Sequence, residues 1–316
     1  MRDHGGNLDW AIARWGGASE TWVDLSTGIN PCAYPVPDIP QIAWTALPTR
    51  AELDGLIAAA RIAYDTQAGI LPMAGAQAAI QLIPNVFSSG RARVLGPTYN
   101  EHAAALVSAG WQVETVKTVD ALDGCDLAIV VNPNNPNGHT VSRSDLLALA
   151  KRVGTLVVDE SFADPDPHLS VAPEAGGNLM VLRSFGKFYG LAGVRLGFAL
   201  GDIDRLAEMA GPWPVSGAAI AIGRKALVDK GWAKATVARL KNDASRLDAM
   251  AETAGWSVVG GTTLFRLYAV EDAAAMQAQL AKHHIWSRVF PYSKTWIRLG
   301  LPDRAAWPQL EAALSI

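Results

Sequence analysis

A single lysine lies in a glycine-rich loop between two apolar runs: residues 183–198 read RSFGKFYGLAGVRLGF, and the lysine is Lys187. Arg195 follows this lysine by eight residues, and Ser184 precedes it by three. Apolar surroundings and a nearby cation both lower the pKa of a lysine, which makes it a usable amine nucleophile. Such an amine forms a Schiff base with a carbonyl group, and the serine and arginine are suited to hold an anion beside it. A solvated lysine in a surface loop is the other interpretation of this stretch taken alone.

Two buried strands upstream end in polar residues. Residues 127–131 read LAIVV and are followed by NPNNPNG at 132–138, whereas residues 156–160 read LVVDE and end in a carboxylate, Asp159. Open α/β sheets bind their ligands at the carboxyl ends of such strands. A lysine that forms a Schiff base and an acid that pairs with a pyridinium nitrogen are the two protein groups that pyridoxal 5'-phosphate requires. The sequence therefore predicts a pyridoxal-phosphate site with Lys187 and Asp159 as its catalytic residues.

The order of elements indicates an α/β fold. Strands and helices alternate from about residue 68 to 200, which predicts a mostly parallel sheet covered on both faces. Beyond Leu200, two long helices are expected at 215–229 and 232–254, followed by short strands and a closing helix to Ile316, which is typical of a smaller α+β domain. The predicted domains are an N-terminal arm and linker at 1–40, a large domain at 41–205 and a small C-terminal domain at 206–316.

Composition excludes several classes of protein. The 316 residues carry a net charge of −3 without a basic block, which argues against nucleic acid as a partner. No apolar run reaches the length of a membrane span, and the N-terminus lacks the apolar core of a signal peptide. The two cysteines, Cys32 and Cys125, are far apart, which argues against a disulfide framework or a metal site and suits the cytoplasm.

These motifs, in this order, resemble the aspartate-aminotransferase superfamily of pyridoxal-phosphate enzymes (fold type I, aminotransferase class I and II). The resemblance covers nearly the whole chain. It implies the fold of those enzymes, pyridoxal 5'-phosphate as cofactor, and a homodimer.

The resemblance also implies a role for each matching residue. Lys187 would bind the cofactor as a Schiff base and transfer protons, while Asp159 would keep the pyridine nitrogen protonated. Asn135 would bond the phenolic oxygen, and the Tyr99 ring would stack on the pyridine. Arg298 would receive the carboxylate of an amino-acid substrate. The residues implied to hold the cofactor phosphate are Gly75, Ala76, Gln77, Ser184 and Arg195, with the two residues after the glycine acting through their backbone N–H groups at a helix start.

Three positions depart from the superfamily's pattern. Phe162 stands where the superfamily often has a tyrosine that donates to the phenolic oxygen of the cofactor. Without that donor the pKa of the Schiff base should shift, because loss of a donor to an anion raises the pKa of the anion. Leu47 stands where histidinol-phosphate aminotransferases tend to have a tyrosine that crosses the dimer. Gly186 replaces the hydroxyl residue often found before the lysine. These departures count against plain transamination more than against the fold.

Within the superfamily, the opening HGGN at 4–7, the GINP at 28–31 and the short chain are most similar to the threonine-phosphate decarboxylases of cobalamin biosynthesis. That resemblance implies release of CO2 from L-threonine O-3-phosphate to give (R)-1-amino-2-propanol O-2-phosphate. The substrate phosphate would then lie near His4, Gly5, Gly28 and Asn30. Two alternatives remain open: an aminotransferase of the histidinol-phosphate type, and a non-catalytic homologue. A Rossmann dehydrogenase is disfavoured because no Gly-x-Gly-x-x-Gly follows the first strand.

Overall fold

The computed structural model describes residues 4–315 of the chain. The first three residues of the predicted arm and the last residue of the predicted closing helix lie outside the described residues. The chain divides into two compact units. The larger unit is formed by Tyr34–Asn135 and Thr140–Ala233. The smaller unit is formed by Pro136–His139 and the described residues of Met1–Ala33 and Lys234–Ile316.

The regular elements have the following bounds. The α-helices are α1 (Leu8–Trp15), α2 (Ile42–Thr45), α3 (Arg50–Ala63), α4 (Ala76–Val86), α5 (Asn100–Ser108), α6 (Arg143–Ala150), α7 (Phe185–Phe188), α8 (Asp204–Ala210), α9 (Gly217–Ala226), α10 (Lys230–Thr253), α11 (Ala273–Lys282) and α12 (Trp307–Leu314). The strands are β1 (Val23–Asp24), β2 (Gly69–Met73), β3 (Arg91–Leu95), β4 (Gln112–Val116), β5 (Leu127–Val131), β6 (Thr155–Asp159), β7 (Leu179–Ser184), β8 (Gly197–Gly201), β9 (Ser257–Thr262), β10 (Phe265–Ala269), β11 (Ile285–Trp286), β12 (Arg288–Phe290) and β13 (Ser293–Gly300).

The larger unit is built on one mixed sheet with strand order β2-β8-β7-β6-β5-β3-β4. Only β8 runs antiparallel to its two neighbours, β2 and β7, and the other pairs described in this sheet are parallel. All five residues of β5 are buried, as expected for an apolar strand with both faces covered. The predicted mostly parallel sheet is therefore confirmed.

Helices cover this sheet with apolar faces. α4 buries Ala79, Ile80 and Ile83 in a core cluster that also contains Ile129 of β5 and Val157 of β6. Burial of a large aliphatic side chain of this kind stabilises the fold by about 1.5–3 kcal/mol. This packing fixes α4 on the sheet, so that the start of α4 has a defined place near the strand ends.

The smaller unit has an antiparallel sheet with strand order β12-β13-β10-β9 and a short parallel pair, β1 and β11. In β10, Phe265, Leu267 and Tyr268 are fully buried. Helices and short strands together give the α+β architecture that the sequence predicts. Within residues 4–315, no helix is long and apolar enough to cross a membrane.

Candidate active site

The carboxyl ends of neighbouring strands form one edge of the larger sheet. Asp159 at the end of β6 pairs in register with Val131 at the end of β5. Ser184 at the end of β7 pairs with Gly197 of β8, which in turn pairs with Met73 at the end of β2. The side chains at these strand ends therefore meet at one edge, where open α/β sheets bind ligands.

A cavity of about 160 Å³ lies at this edge. Every residue that was expected to hold the cofactor lines it: Gly75, Ala76, Gln77, Tyr99, Asn135, Asp159, Ser184, Lys187 and Arg195. Phe162 and Gly186, two of the positions that depart from the superfamily's pattern, line it as well. Folding thus brings these residues together from separate segments, and their roles toward a ligand stay predictions.

The start of α4 is suited to an anion. The first N–H groups of an α-helix lack intrahelical partners, and Gly75, with φ of +79°, provides no capping side chain for those of Ala76 and Gln77. A Cβ on Gly75 would come within 2.8 Å of Arg195 Nη2, and one on Gly197 within 2.4 Å of the Ala76 nitrogen. Glycine is therefore required at 75 by its backbone conformation, with the Arg195 guanidinium directly beside it, and at 197 because the helix backbone lies directly against the strand. Arg195 itself has a φ of +54°, the left-handed backbone that side chains rarely adopt. The donors and the positive charge fit a phosphate group.

The Asp159 carboxylate is buried and bonded through both oxygens. His102 Nε2 lies 2.8 Å from Oδ2, and Ser161 donates to Oδ1 from its hydroxyl and, over 2.9 Å, from its backbone N–H. Burial raises the pKa of Asp159, but the bond and attraction of His102 and the bonds from Ser161 lower it more, so the pKa lies below its usual value. Asp159 is therefore an ionised carboxylate at neutral pH, on the wall of the cavity that also contains Lys187.

Lys187 lies on the short helix α7 among aromatic rings. Its Nζ is 5.8 Å from the centroid of the Phe162 ring, within range of a cation–π contact. The rings of Phe185 and Tyr189, on either side of the lysine in sequence, stack with centroids 4.3 Å apart. A Cβ on Gly186 would lie 2.8 Å from Ala192 Cα, so the close approach of the following loop leaves no room for a hydroxyl residue there. The amine is thus held on a tightly packed turn.

A buried ion cluster ties the ends of β6 and β7 together. Arg183, directly before Ser184, bonds Glu160 over 2.7 Å and Asp164 over 2.8 Å. Burial disfavours its charge, but the two carboxylates raise the pKa of Arg183 above its usual value, so the guanidinium stays charged. Because Glu160 follows Asp159 and Arg183 precedes Ser184, this cluster fixes the strand ends that carry Asp159 and Ser184.

The smaller unit contains Arg298, expected to bind the substrate carboxylate. Arg298 is buried in β13 and donates from Nη2 to the Ser26 carbonyl over 2.7 Å. It pairs in register with Arg288 of β12, and burial, followed by the charge of Arg288, lowers the pKa of Arg298 to about 10. His4 and Gly5 line a cavity of about 220 Å³ together with Ser26 and Arg288. Two cations and a histidine in this part of the unit favour an anionic ligand.

Gly28 and Asn30, the other expected substrate residues, are buried in the same unit. Asn30 Oδ1 accepts hydrogen bonds from Arg239 Nη2 over 2.6 Å and from the Cys32 N–H over 3.0 Å. Within the described part of the chain, neither Gly28 nor Asn30 lines the cavity that contains His4.

Sequence reasoning missed the polar partners of the predicted residues. His102 lies three positions after Tyr99 on the buried side of α5, and a histidine on the apolar face of a helix that begins beside a predicted site is the signal that was available. Glu101, its buried neighbour, bonds Gln77. Arg288 faces Arg298 only because of the strand register, which sequence alone does not define.

The class of protein follows from a comparison with known families. The model of the family aminotransferase class I and II matches residues 50–310. The chain belongs to this family, and the resemblance stated from its motifs is confirmed.

Two relatives and one solved structure show which members of this family the chain is similar to. A threonine-phosphate decarboxylase of Sinorhizobium sp is 46% identical, over 99% of this chain and 97% of the relative. A threonine-phosphate decarboxylase of Pseudomonas aeruginosa is 43% identical, again over 99% and 97%. The crystal structure of histidinol-phosphate aminotransferase from Sinorhizobium meliloti in complex with pyridoxal-5'-phosphate is 19% identical, with a TM-score of 0.80 over 99% of this chain and 94% of that one. This last similarity confirms the predicted fold class.

Proposed function

We propose that the protein is a pyridoxal-phosphate enzyme that decarboxylates L-threonine O-3-phosphate to (R)-1-amino-2-propanol O-2-phosphate in cobalamin biosynthesis. The observation that carries the proposal is the cavity in which Lys187, the ionised Asp159 and the uncapped start of α4 meet. Two relatives named threonine-phosphate decarboxylase, each aligned over 99% of the chain, support the choice of substrate.

The residues of the cavity fit the cofactor group by group. When bound, pyridoxal 5'-phosphate supplies an electron-accepting ring next to the substrate's α-carbon. Lys187 would bind its aldehyde carbon, and Asp159, held ionised by His102, would keep a proton on the pyridine nitrogen. Tyr99 would cover the ring and Asn135 would donate to the phenolic oxygen. The N–H groups of Ala76 and Gln77, Ser184 and Arg195 would hold the phosphate, and the two glycines at 75 and 197 leave room for this approach.

In this proposal the cationic residues of the smaller unit bind the substrate. Arg298 binds the α-carboxylate, and the substrate phosphate is bound near His4 and Gly5, with Gly28 and Asn30 shaping the adjacent chain. We add Arg288 to this set, because it lines the cavity of His4 and pairs in register with Arg298.

Loss of CO2 and loss of the α-hydrogen are alternative fates of the same bound amino acid, so the outcome depends on how the protein orients the substrate. Binding energy from the remote phosphate can impose one orientation of the carboxylate. Decarboxylation would break the bond from Cα to the carboxyl carbon, release CO2 and leave Cα in need of one proton. Lys187, its amine free again once the amine of the substrate has taken its place, would supply that proton. An aminotransferase would instead remove the hydrogen from Cα.

A cytoplasmic homodimer is part of the proposal. Ile42, Trp44 and Leu47 are 63%, 62% and 63% exposed within six residues of sequence, and such apolar groups are typical of a surface that a second subunit covers. Both cysteines, Cys32 and Cys125, are free thiols, which agrees with a reducing compartment.

Two measurements test the proposal. Addition of pyridoxal 5'-phosphate to the wild type should produce the visible absorbance of a lysine-bound cofactor, which Lys187→Ala removes and the exposed Lys151→Ala retains. The loaded wild type should then release CO2 from L-threonine O-3-phosphate in equal amount to aminopropanol phosphate. Amino transfer to 2-oxoglutarate without CO2 would establish the aminotransferase alternative, and cofactor binding without either product would establish the non-catalytic one.

A further inference from the structure

Two residues of the cavity are connected to a buried carboxylate. The Tyr99 hydroxyl donates to Gln77 Oε1 over 3.1 Å, and Gln77 Nε2 donates to Glu101 Oε2 over 3.1 Å. Gln81 Nε2 donates to the same oxygen over 3.2 Å. Glu101 is only 6% exposed. A carboxylate is rarely buried to this extent without hydrogen-bond partners, and the two glutamine amides are such partners.

The carboxylate sets the direction of this chain of hydrogen bonds. Carboxylate oxygens accept hydrogen bonds, and the NH2 group of the Gln77 amide accordingly points toward Glu101. The amide oxygen is then left to accept from Tyr99, and the Tyr99 hydroxyl must donate its one hydrogen to that oxygen. If residue 101 were a neutral side chain able to donate as well as accept, the Gln77 amide could rotate by half a turn. The fixed direction of the hydrogen bonds from Tyr99 to Gln77 and from Gln77 to residue 101 would then be lost.

The network also joins two helix starts. Gln77 and Gln81 lie one turn apart on α4, whereas Tyr99 is the N-cap residue of α5 and Glu101 lies in the first turn of α5. In the proposed function, the start of α4 holds the cofactor phosphate and the ring of Tyr99 covers the pyridine. The distance between these two contacts must match the distance between the phosphate and the ring in the cofactor.

We propose that Glu101 is a positioning residue, which fixes Tyr99 against the start of α4 through Gln77 so that ring and phosphate are held together. This inference rests on the proposed function, because it assigns a role toward the same cofactor. Fixing both contacts before binding reduces the ordering that binding would otherwise require. The alternative is that Glu101 only stabilises α5, since an acidic residue in a first helical turn interacts favourably with the helix dipole.

The test compares the dissociation constant and the visible circular dichroism of the bound cofactor in the full-length holoenzyme. Tyr99→Phe removes the donor, Glu101→Gln removes the fixed acceptor at nearly constant shape, and a double variant combines them. Each single variant should weaken cofactor binding about fivefold, as expected for one lost hydrogen bond, and reduce the dichroism. The double variant should bind no more weakly than the weaker of the two single variants, because both changes break the same chain.

Controls separate positioning from general stability. Glu114→Gln removes an exposed carboxylate that bonds Arg93 over 3.0 Å and should change neither readout. Gln77→Ala, which keeps its backbone N–H, should reproduce Glu101→Gln and serves in its place if that variant does not fold.

The inference is overturned if the effects of Tyr99→Phe and Glu101→Gln multiply to about twenty-five-fold in the double variant. It is overturned equally if Glu101→Gln lowers only the melting temperature, or if it tightens cofactor binding, as removal of a repulsive charge would. A wild type that gains no visible absorbance with pyridoxal 5'-phosphate would overturn the proposed function together with this inference. Binding in the wild type with unaffected variants would overturn the inference alone.

Discussion

Replacing Arg298 with methionine is expected to stabilise the substrate-free protein while removing its ability to bind the substrate. The pKa of Arg298 is lowered from 12.5 to about 10 by burial and by Arg288. Because a guanidinium is charged below its pKa, the folded state bears the cost of that charge at every pH below about 10. The cost is relieved only as the pH rises from about 10 toward 12.5. At about 1.4 kcal/mol for each pKa unit, this cost is about 3 kcal/mol.

Two contacts that are lost with the Arg298 side chain offset part of this stabilisation. Methionine cannot donate to the Ser26 carbonyl, which costs about 1 kcal/mol, and it gives up the cation–π contact with Phe265 at 5.0 Å, which is worth about 0.5–1 kcal/mol. These two losses together are smaller than the cost of about 3 kcal/mol that the substitution removes, so the melting temperature is expected to rise.

The assay is thermal denaturation at pH 7 in a Lys187→Ala background, in which the substrate is not turned over. L-threonine O-3-phosphate should raise the melting temperature of the protein with Arg298 and leave that of Arg298→Met unchanged, because a ligand stabilises only a state that binds it. Arg266→Met is the matched control from the adjacent strand. Its guanidinium bonds Asp248 over 2.9 and 2.7 Å, so its loss should lower the melting temperature. Substrate-free Arg298→Met melting below its parent, as the control does, would refute the reasoning.

Three further predictions concern stability and assembly. The pKa of Asp159 lies below its usual value, so the stability that its bonds contribute is present above about pH 4 and is lost as the pH falls through the folded-state pKa. Asp159→Asn should therefore unfold at lower urea than the wild type at pH 7, and the difference should shrink toward pH 3. Arg183→Met leaves Glu160 and Asp164 buried without their cation and should cost about 3–5 kcal/mol in urea denaturation; a cost below about 1 kcal/mol would contradict the role given to this cluster. Trp44→Glu places a charge on the exposed apolar segment and should convert the proposed dimer to a monomer in light scattering, and an unchanged mass would exclude this segment from the subunit interface.

The large sheet was predictable because its strands are defined by local patterns. The apolar run at 127–131 is found as β5 with those bounds, and the run at 156–160 as β6, which begins and ends one residue earlier. Ser142 caps α6 by accepting from the Asp145 N–H, so the start of this helix is likewise defined by residues close together in sequence. In contrast, β1 pairs with β11, which lies more than 250 residues away in sequence, and two residues of strand carry no pattern that indicates such a partner.

The candidate site likewise contains residues that could be predicted from the sequence and residues that could not. Lys187 and Asp159 were predicted because each belongs to a segment whose own sequence defines a turn or a strand end. His102 was missed because its contact with Asp159 depends on how α5 packs against the sheet, and a local sequence pattern does not define that packing. The position of Arg288 opposite Arg298 depends likewise on register, since a slip of one residue would turn one of the two side chains to the other face.

The two neighbouring positive charges of Arg298 and Arg288 give a physical reason for a phosphorylated substrate. A simple amino acid offers one carboxylate to this region, which leaves the neighbouring Arg288 without a ligand charge. L-threonine O-3-phosphate offers a carboxylate and a phosphate of about −1.5 to −2, so that both guanidinium groups gain an opposite charge. In the proposed function, substrate binding would offset part of the cost of about 3 kcal/mol at Arg298, and this relief would contribute to binding and to the orientation of the carboxylate. Threonine without its phosphate should therefore bind more weakly than L-threonine O-3-phosphate, because it lacks the phosphate contacts and leaves Arg288 opposing the charge of Arg298.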